Sequence, residues 1–254
     1  MKTYFNWSSG KDSALALHYL LQDRNYSIEH LLTAVNAFHD RVSMHGLRRK
    51  LLELQIASLD IPHSTIELPE QPSMKEYESM MKQAVSQLHK KGFNYAAFGD
   101  IFLEDLKKYR EQQLAIMDIR AVFPLWKRDT KQLLEEFIEL GFKAIIICIN
   151  ADLLDVSFAG RIIDKEFIND LPPGIDPCGE NGEFHTFCFD GPIFNKAIPF
   201  EIGEKVYREY NAPDNDNSSS GIAKKKMGFW FCDLLPTVEM VDEKQTLFFK
   251  YPGI

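Results

Sequence analysis

The sequence contains no hydrophobic run long enough to cross a membrane. Its longest strongly apolar stretch, residues 144–149, is much shorter than the roughly 20 residues that a membrane-spanning helix needs. The segment before the first motif, residues 1–7, is too short and too polar for a signal peptide. We therefore expect a cytoplasmic protein with no membrane partner.

Cysteine is scarce, and positive charge is not in excess. The four cysteines form no Cys-x-x-Cys pair, so we expect reduced thiols and no disulfide framework. With 29 basic and 37 acidic residues the net charge is −8, which argues against a nucleic-acid partner held in a long groove. A local basic patch, such as residues 224–226, is still compatible with this balance. The hydrophobic share of 45% is that of an ordinary globular chain of 254 residues.

Short β-rich runs alternate with helical periodicity through the first 150 residues. This alternation is typical of right-handed strand–helix–strand units. It predicts an α/β fold, a doubly wound and Rossmann-like parallel sheet of five strands, over residues 1–150. Gly92 and Gly141 each follow a helical stretch, where a left-handed cap favours glycine. The predicted strands are residues 3–7, 31–36, 64–68, 95–99 and 144–149, and the predicted helices lie near residues 14–21, 47–59, 74–91, 103–119 and 130–140.

The pattern changes after about residue 150. Helical periodicity persists only around residues 161–169, and prolines, glycines and alternating segments such as residues 183–189 follow. Residues 151–254 are therefore predicted to form a smaller α+β domain that completes the active site. Within it, the polar and turn-rich residues 213–221 predict an exposed loop.

A polar string follows the first predicted strand and opens the first helix. A helix N-terminus presents unpaired N–H groups and the positive end of the helix dipole, so it attracts phosphate oxygens. Gly10 permits close approach of the backbone, and Lys11 neutralises phosphate charge. Asp12 would repel a phosphate unless it holds Mg²⁺ between them. The hydroxyl donors of the string are Ser8, Ser9 and Ser13.

An alternative is that Ser8 or Ser9 caps the helix and Asp12 favours its first turn. The string is not a Walker A loop, because no glycine stands five residues before Gly10. It resembles the PP-loop, Ser-Gly-Gly-x-Asp-Ser, of ATP pyrophosphatases, which cut ATP between its α and β phosphates. Ser9 replaces a motif glycine, and it would be strained if the loop needs a positive φ there.

Other polar residues lie where parallel strands end, which is where ligands bind in open α/β sheets. Asp100 either binds metal or caps the next helix. Asn36 either contacts a base or ribose or is a turn residue. His45 either contacts phosphate or substrate or begins the next helix. Arg110 either reaches the phosphates or a substrate carboxylate or pairs with a nearby acid. Val35 and Gly99 complete this set.

A loop rich in glycine and polar residues, 178–186, supplies the remaining candidates. Glu180 and Glu183 are suited to general base work or to binding ammonia or metal. His185 is suited to acid–base chemistry near pH 7. If the strand is regular, Glu183 and His185 share one face, and the alternative is a polar edge exposed to solvent. Cys178 is a further candidate, as a nucleophile like that of sulfur-transferring PP-loop proteins.

Beyond the PP-loop, five segments resemble the diphthine–ammonia ligase-like family across nearly the whole chain. They are residues 35–46, 98–101 with Arg110, 124–126, 176–186 and 229–236. The resemblance implies an ATP- and Mg²⁺-dependent enzyme that adenylates a carboxylate and transfers ammonia to it. It implies a nucleotide site at residues 8–13 with Val35, Asn36, His45, Gly99 and Arg110, metal ligands Asp12 and Asp100, and catalytic roles for Lys11, Asp12, Asp100, Glu180, Glu183 and His185.

The resemblance leaves the carboxylate open, whether a small molecule or a protein-bound group. In archaea and eukaryotes the family is linked to amidation of diphthine, and those relatives carry Glu-Tyr-Glu-Thr at this place. Residues 183–186 read Glu-Phe-His-Thr, which resembles bacterial members for which salvage of cobalamin precursors has been suggested. A homodimer is compatible with the sequence.

Two other function classes remain open. The chain could modify tRNA, as other PP-loop proteins do, but the negative charge and isolated cysteines disfavour this. It could instead be an ATP or AMP sensor without catalysis, a function that would not require the Lys-Asp-Ser string or the acidic 178–186 loop.

Overall fold

A computed structural model describes residues 1–211 and 226–237. The predicted segments at residues 213–221 and 224–225 lie outside the described residues. No helix of the described ranges is long and apolar enough to cross a membrane. The strands are β1 Lys2–Asn6, β2 Ser27–Asn36, β3 Arg41–Val42, β4 His63–Leu68, β5 Tyr95–Ala97, β6 Arg120–Val122, β7 Lys143–Asn150, β8 Phe184–Asp190, β9 Phe200–Asn211 and β10 Lys226–Pro236. The helices are α1 Lys11–Gln22, α2 Arg49–Leu59, α3 Met74–Lys90, α4 Glu104–Ala115, α5 Thr130–Glu139 and α6 Lys165–Asp170.

Five parallel strands form the predicted doubly wound sheet, in the order β4-β2-β1-β5-β6. The short strand β3 pairs antiparallel with the end of β2. Phe5 and Leu31 face a core that includes α1 and α2, while Tyr4 and Leu32 face a second core that includes α3 and α4. Side chains alternate along a strand, so successive residues of β1 supply both cores. The chain proceeds from β1 to β2 and β4 on one side and then returns to β5 on the other, which makes the β1–β5 edge the topological switch point.

One predicted strand belongs to a different sheet. Residues 144–149 lie in β7, which pairs antiparallel with β8 and β10 in a four-stranded sheet of order β8-β7-β10-β9. The fifth parallel strand is β6, which has three residues, too few to show a period in the sequence. The continuous apolar run of β7 reflects burial of seven of its eight residues, which also occurs in a parallel strand. The domain boundary at residue 150 stays a prediction, and this pairing favours an earlier one.

Local signals at helix ends agree with the prediction. Gly92 and Gly141 have φ of 86° and 84°, the left-handed conformation expected after α3 and α5. Ser73 begins α3 with a capping box that involves Glu76. The four cysteines are buried and unpaired, as predicted.

Candidate active site

The loop between β1 and α1 has the features of an anion site. Ser9 has φ of 72°, so the strain expected from replacing the motif glycine is present. Gly10 occupies the N-cap of α1, and no side-chain cap bond is made there, so neither Ser8 nor Ser9 acts as the cap. The hydroxyls of Ser8 and Ser13 instead lie 2.7 Å apart and tie the loop to the first turn. The serines therefore shape the loop around the helix end.

Lys11 is buried at the helix end and is already paired. Its Nζ lies 2.8 Å from both carboxylate oxygens of Asp12 and also donates to the Cys178 carbonyl. Burial alone would lower the pKa of Lys11, but Asp12, Cys178 and Glu180 outweigh it and raise the pKa, so the side chain is an ammonium. The loop that carries Cys178 thus binds the Lys11 ammonium of the PP-loop.

Three carboxylates converge beside this cation. Burial raises the pKa of Asp12, Asp100 and Glu180, and each of Asp100 and Glu180 is raised further by the Asp12 charge. The pKa of Glu180 rises to about 7, and its Oε2 accepts from the Ile101 N–H at 3.1 Å. Arg110 lies beside Asp100, with Nη2 donating to Oδ1 at 3.2 Å. The structure thus brings together the acids predicted at 12, 100 and 180.

This cluster fits a hard cation that phosphates help to bind. Mg²⁺ is usually held by one or two carboxylates together with phosphate oxygens and water. Asp12 and Asp100 are close enough for mutual repulsion, which a cation would relieve. No group of three or more His, Cys, Asp or Glu side chains with metal-binding geometry occurs in residues 1–211 and 226–237. The protein part of such a site would therefore be the two aspartates.

The predicted histidines form a stacked pair. The rings of His45 and His185 have centroids 4.6 Å apart and an interplanar angle of 22°. The pKa of His45 is lowered to about 3, mainly by burial and in part by His185 and Lys11. The pKa of His185 is lowered to about 4 by burial and by the Lys11 charge. Both imidazoles are therefore neutral near pH 7. Nδ1 of His45 is buried without a hydrogen-bond partner, so this pair has spare capacity for a ligand.

Residues of the second sheet complete the PP-loop. The first N–H of α1, that of Lys11, donates to Oγ1 of Thr186 at 3.0 Å. A Cβ added at Gly10 would lie 3.2 Å from the Thr186 carbonyl and 3.3 Å from Cε1 of His45, so these neighbours approach the glycine closely. The N–H of Cys188 donates to the Ser9 carbonyl at 2.9 Å. Thr186 thus takes the position of a cap that the loop itself lacks.

Gln55 is a buried residue that connects these elements, and the sequence reasoning missed it. Its Oε1 accepts from the Trp7 indole N–H at 2.7 Å, and its Nε2 donates to the carbonyls of Ser9 and Cys188 at 3.1 and 2.6 Å. The available signal was its position four residues after Leu51, on the apolar stripe of α2. A polar residue on that stripe must find partners in the core.

A second set of missed residues holds the loop that carries His45. Asp233 of β10 accepts from Arg41 at 2.9 Å and from Nη2 of Arg48 at 2.5 Å. Arg41 also donates to the Gly46 carbonyl at 2.7 Å. These contacts tie the segment after β3 to the second sheet. No sequence pattern indicates this pairing, because Asp233 lies 185 residues beyond Arg48.

Two predicted site residues, Glu183 and Asn36, have their side-chain polar groups engaged elsewhere, and a third, Val35, has a buried apolar side chain. Both oxygens of the Glu183 carboxylate accept N–H groups, from Asp176 at 3.0 Å and from Asn181 at 2.8 Å, so this carboxylate braces its own loop. Asn36 donates to the Glu70 carbonyl at 3.0 Å, which is the turn alternative. Val35 is fully buried within β2. Their predicted roles stay predictions.

The chain is similar to known proteins along most of its length. The Diphthamide synthase N-terminal domain family matches residues 1–115, and the Diphthamide synthase C-terminal domain family matches residues 129–213. The chain is 28% identical over 172 residues to a diphthine–ammonia ligase of Danio rerio, covering 65% of each protein. It is 30% identical over 116 residues to that of Homo sapiens, covering 43% of each. The matched part is thus less than two thirds of these relatives' length.

Among solved structures, the U34-tRNA thiolase NcsA from Methanococcus maripaludis matches 56% of this chain and 57% of its own, with 17% identity and a TM-score of 0.36. That likeness is too distant to support an argument about this chain.

Proposed function

The chain belongs to the diphthine–ammonia ligase-like family of PP-loop proteins, and on that premise we propose that it is an ATP-dependent ligase that joins ammonia to a substrate carboxylate. The observation that carries this proposal is the convergence of Lys11, Asp12, Asp100 and Glu180 at the N-terminus of α1. A phosphate-binding helix end beside a cation and several acids is suited to charge neutralisation in phosphoryl and nucleotidyl chemistry.

The proposed reaction has two steps. An oxygen of the substrate carboxylate attacks the α-phosphorus of ATP, the bond to the β-phosphate oxygen breaks, and pyrophosphate leaves. Ammonia then attacks the carbonyl carbon of the acyl-adenylate, AMP leaves with the electron pair of the C–O bond, and the nitrogen loses one proton. Mg²⁺ held by Asp12 and Asp100 would neutralise charge on the phosphates when bound.

The protein's own groups have separate roles in this scheme. The N–H groups at the start of α1 and the Lys11 ammonium bind phosphate oxygens and disperse the charge that develops on pyrophosphate. Glu180 accepts the proton that the nitrogen loses, because its pKa of about 7 allows it to be a carboxylate at neutral pH and still hold a proton. The neutral imidazoles of His45 and His185 orient oxygens of the ligand through hydrogen bonds.

The substrate and the setting belong to the proposal as well. The named activity of the relatives suggests diphthine as one carboxylate, and a cobalamin precursor is the other candidate from the sequence. A sulfur-transfer role for Cys178 is disfavoured, because burial raises the pKa of this thiol and its Sγ contacts the Thr130 carbonyl at 3.3 Å. The reduced cysteines agree with a cytoplasmic location.

Product analysis of labelled ATP tests the proposal. The protein is incubated with ATP labelled at the α-phosphate, Mg²⁺, ammonium and a small-molecule extract, and AMP is separated from ADP. We expect AMP that depends on the extract and that falls by about a hundredfold or more in Asp12→Asn. Asp105→Asn, an exposed carboxylate of α4, is the matched control and should behave as wild type.

Two outcomes would contradict the proposal. ADP as the product would exclude cleavage between the α and β phosphates. Unchanged AMP formation in Asp12→Asn would remove the residue on which the assignment of the site depends. If no cleavage is observed, translation factors are added as macromolecular substrate, and continued inactivity with ATP bound would favour a sensor.

A further inference from the structure

A cavity lies between α3 and α4, on the face of the parallel sheet opposite α1. Its volume is about 140 Å³, and its floor is formed by Tyr4 and Asn6 of β1 and by Phe98, which directly follows β5. Met81 and Val85 on α3, Leu114 on α4 and Met117 just after α4 form apolar walls. The charged residues Glu78 and Lys82 of α3 also line the cavity. An apolar cavity of roughly 150 Å³ can hold one benzene ring, so this space suits a single six-membered ring or a branched chain of similar size.

A cationic group stands at the wall of this cavity with incomplete hydrogen bonding. The Arg110 guanidinium lies 4.3 Å from the centre of the Phe98 ring. Its Nε is 3.1 Å from Oδ2 of Asp100, yet both atoms are buried and lack a well-aligned hydrogen-bond partner. Arginine can bind two carboxylates at once through its several N–H groups. Arg110 thus faces Asp100 through Nε and Nη2, and within the described residues the N–H groups of its Nη1 are left for a second carboxylate.

The cavity adjoins the candidate active site through the chain itself. Asn6 is the last residue of β1 and directly precedes the PP-loop, and Phe98 directly precedes Gly99 and Asp100. Asn6 and Phe98 on the floor of the cavity thus lie directly before the PP-loop and the Gly99–Asp100 segment of the candidate site. A ligand that fills the cavity and reaches Arg110 would end beside Asp100.

We propose that this cavity binds the non-reacting part of the carboxylate substrate, which is an apolar ring or branched group of about six carbon atoms. The carboxylate of the same substrate pairs with Arg110. The inference rests on the proposed function and adds the chemical class of the substrate. The Arg110 charge selects the acid, and the apolar walls select its ring. The adenine ring is the competing occupant, and the experiment separates the two.

Binding is measured without turnover, by fluorine NMR titration of para-fluorophenylacetate and by a separate titration of MgATP. We expect the wild-type protein to bind the aromatic acid and to bind fluoroacetate, which lacks the ring, at least about tenfold more weakly. Met81→Trp fills the cavity and should weaken the aromatic acid at least about tenfold, while MgATP affinity changes less than about twofold. Met117→Phe narrows the opposite wall and should act in the same direction. Gln83→Trp, exposed on the same helix, is the matched control and should leave both affinities unchanged.

Several outcomes would overturn the assignment. One is failure of the wild-type protein to bind the aromatic acid, and another is that Gln83→Trp weakens binding of this acid as much as Met81→Trp does. A third is loss of MgATP affinity in Met81→Trp, which would make the cavity the nucleobase site. Because no AMP is formed in this assay, its failure is independent of the labelled-ATP experiment. If the protein binds the aromatic acid but forms ADP in the labelled-ATP experiment, the proposed reaction is refuted and the assignment of an acid-binding cavity still holds.

Discussion

The amide of Gln55 is expected to hold the PP-loop, and replacing it by leucine tests this directly. Leucine has a similar volume and keeps α2 helical, so the main change is the loss of three buried hydrogen bonds, at 2.6, 2.7 and 3.1 Å. The Trp7 indole N–H, which is buried, would lose its partner and cost about 1–3 kcal/mol. The Ser9 carbonyl still accepts a hydrogen bond from the Cys188 N–H, so losing the bond from Gln55 costs less free energy there.

The expected total is a decrease in the free energy of unfolding of about 2–6 kcal/mol, because each of the two carbonyl contacts adds roughly 0.5–1.5 kcal/mol to the cost of the indole. For a chain of this size, this corresponds to a fall in Tm of about 4–24 °C. Urea denaturation followed by circular dichroism measures the free energy, and a thermal scan measures Tm. Gln83→Leu, the same substitution at an exposed helical position, should stay within about 0.5 kcal/mol.

A loss below about 1 kcal/mol in Gln55→Leu would refute the reasoning, because it would mean that water or another side chain satisfies the indole and the carbonyls. An effect of equal size in Gln83→Leu would show that the measurement reports helix propensity instead. Because Gln55 binds the Ser9 carbonyl, the folded variant should also bind ATP more weakly than the control.

Three further results are expected. Gly99→Ala should abolish ATP binding in a folded protein, because its Cβ would lie 3.0 Å from the backbone of Asp12; calorimetric titration with wild-type affinity would contradict this contact. At a fixed concentration of free ammonia, the rate of AMP release should rise with pH through about 7 as Glu180 loses its proton. Under that condition, a rise that persists in Glu180→Gln would assign it to another group. Stability should fall as pH decreases below 6.5 toward 4, because the folded pKa values of His45 and His185, about 3 and about 4, lie below the unfolded value. We expect roughly 2 kcal/mol per ring by pH 5 from urea curves, and no fall would contradict the buried pair.

The doubly wound sheet was predictable from the sequence because its longer elements have clear periods. The helices around residues 74–91 and 130–140 were found within a few residues of α3 and α5. The three-residue β6 was missed, and β7 was assigned to the parallel sheet, because an apolar run alone does not distinguish the centre of one sheet from that of another. Pairing partners decide that question, and they are distant in the sequence.

The candidate site was predictable only where function depends on a local string. Residues 8–13 are a single continuous segment, so their order already implies a phosphate-binding helix end. Glu183 and Glu180 stand three residues apart in one loop, yet one accepts N–H groups of its own loop and the other reaches Ile101. Side-chain direction within a glycine-rich loop depends on its tertiary contacts, and no sequence pattern specifies it.

The contacts of Lys11 show why the two sheets must act together at this site. Its N–H donates to Thr186, and its ammonium donates to the Cys178 carbonyl and to Asp12. A nucleotide phosphate must therefore compete with a carboxylate 2.8 Å from the ammonium. Such competition favours a ligand that brings a cation for Asp12, since an unpaired buried carboxylate is costly. The pair of Lys11 and Asp12 thus explains from charge alone why this helix end should prefer a metal-bound nucleotide to free phosphate.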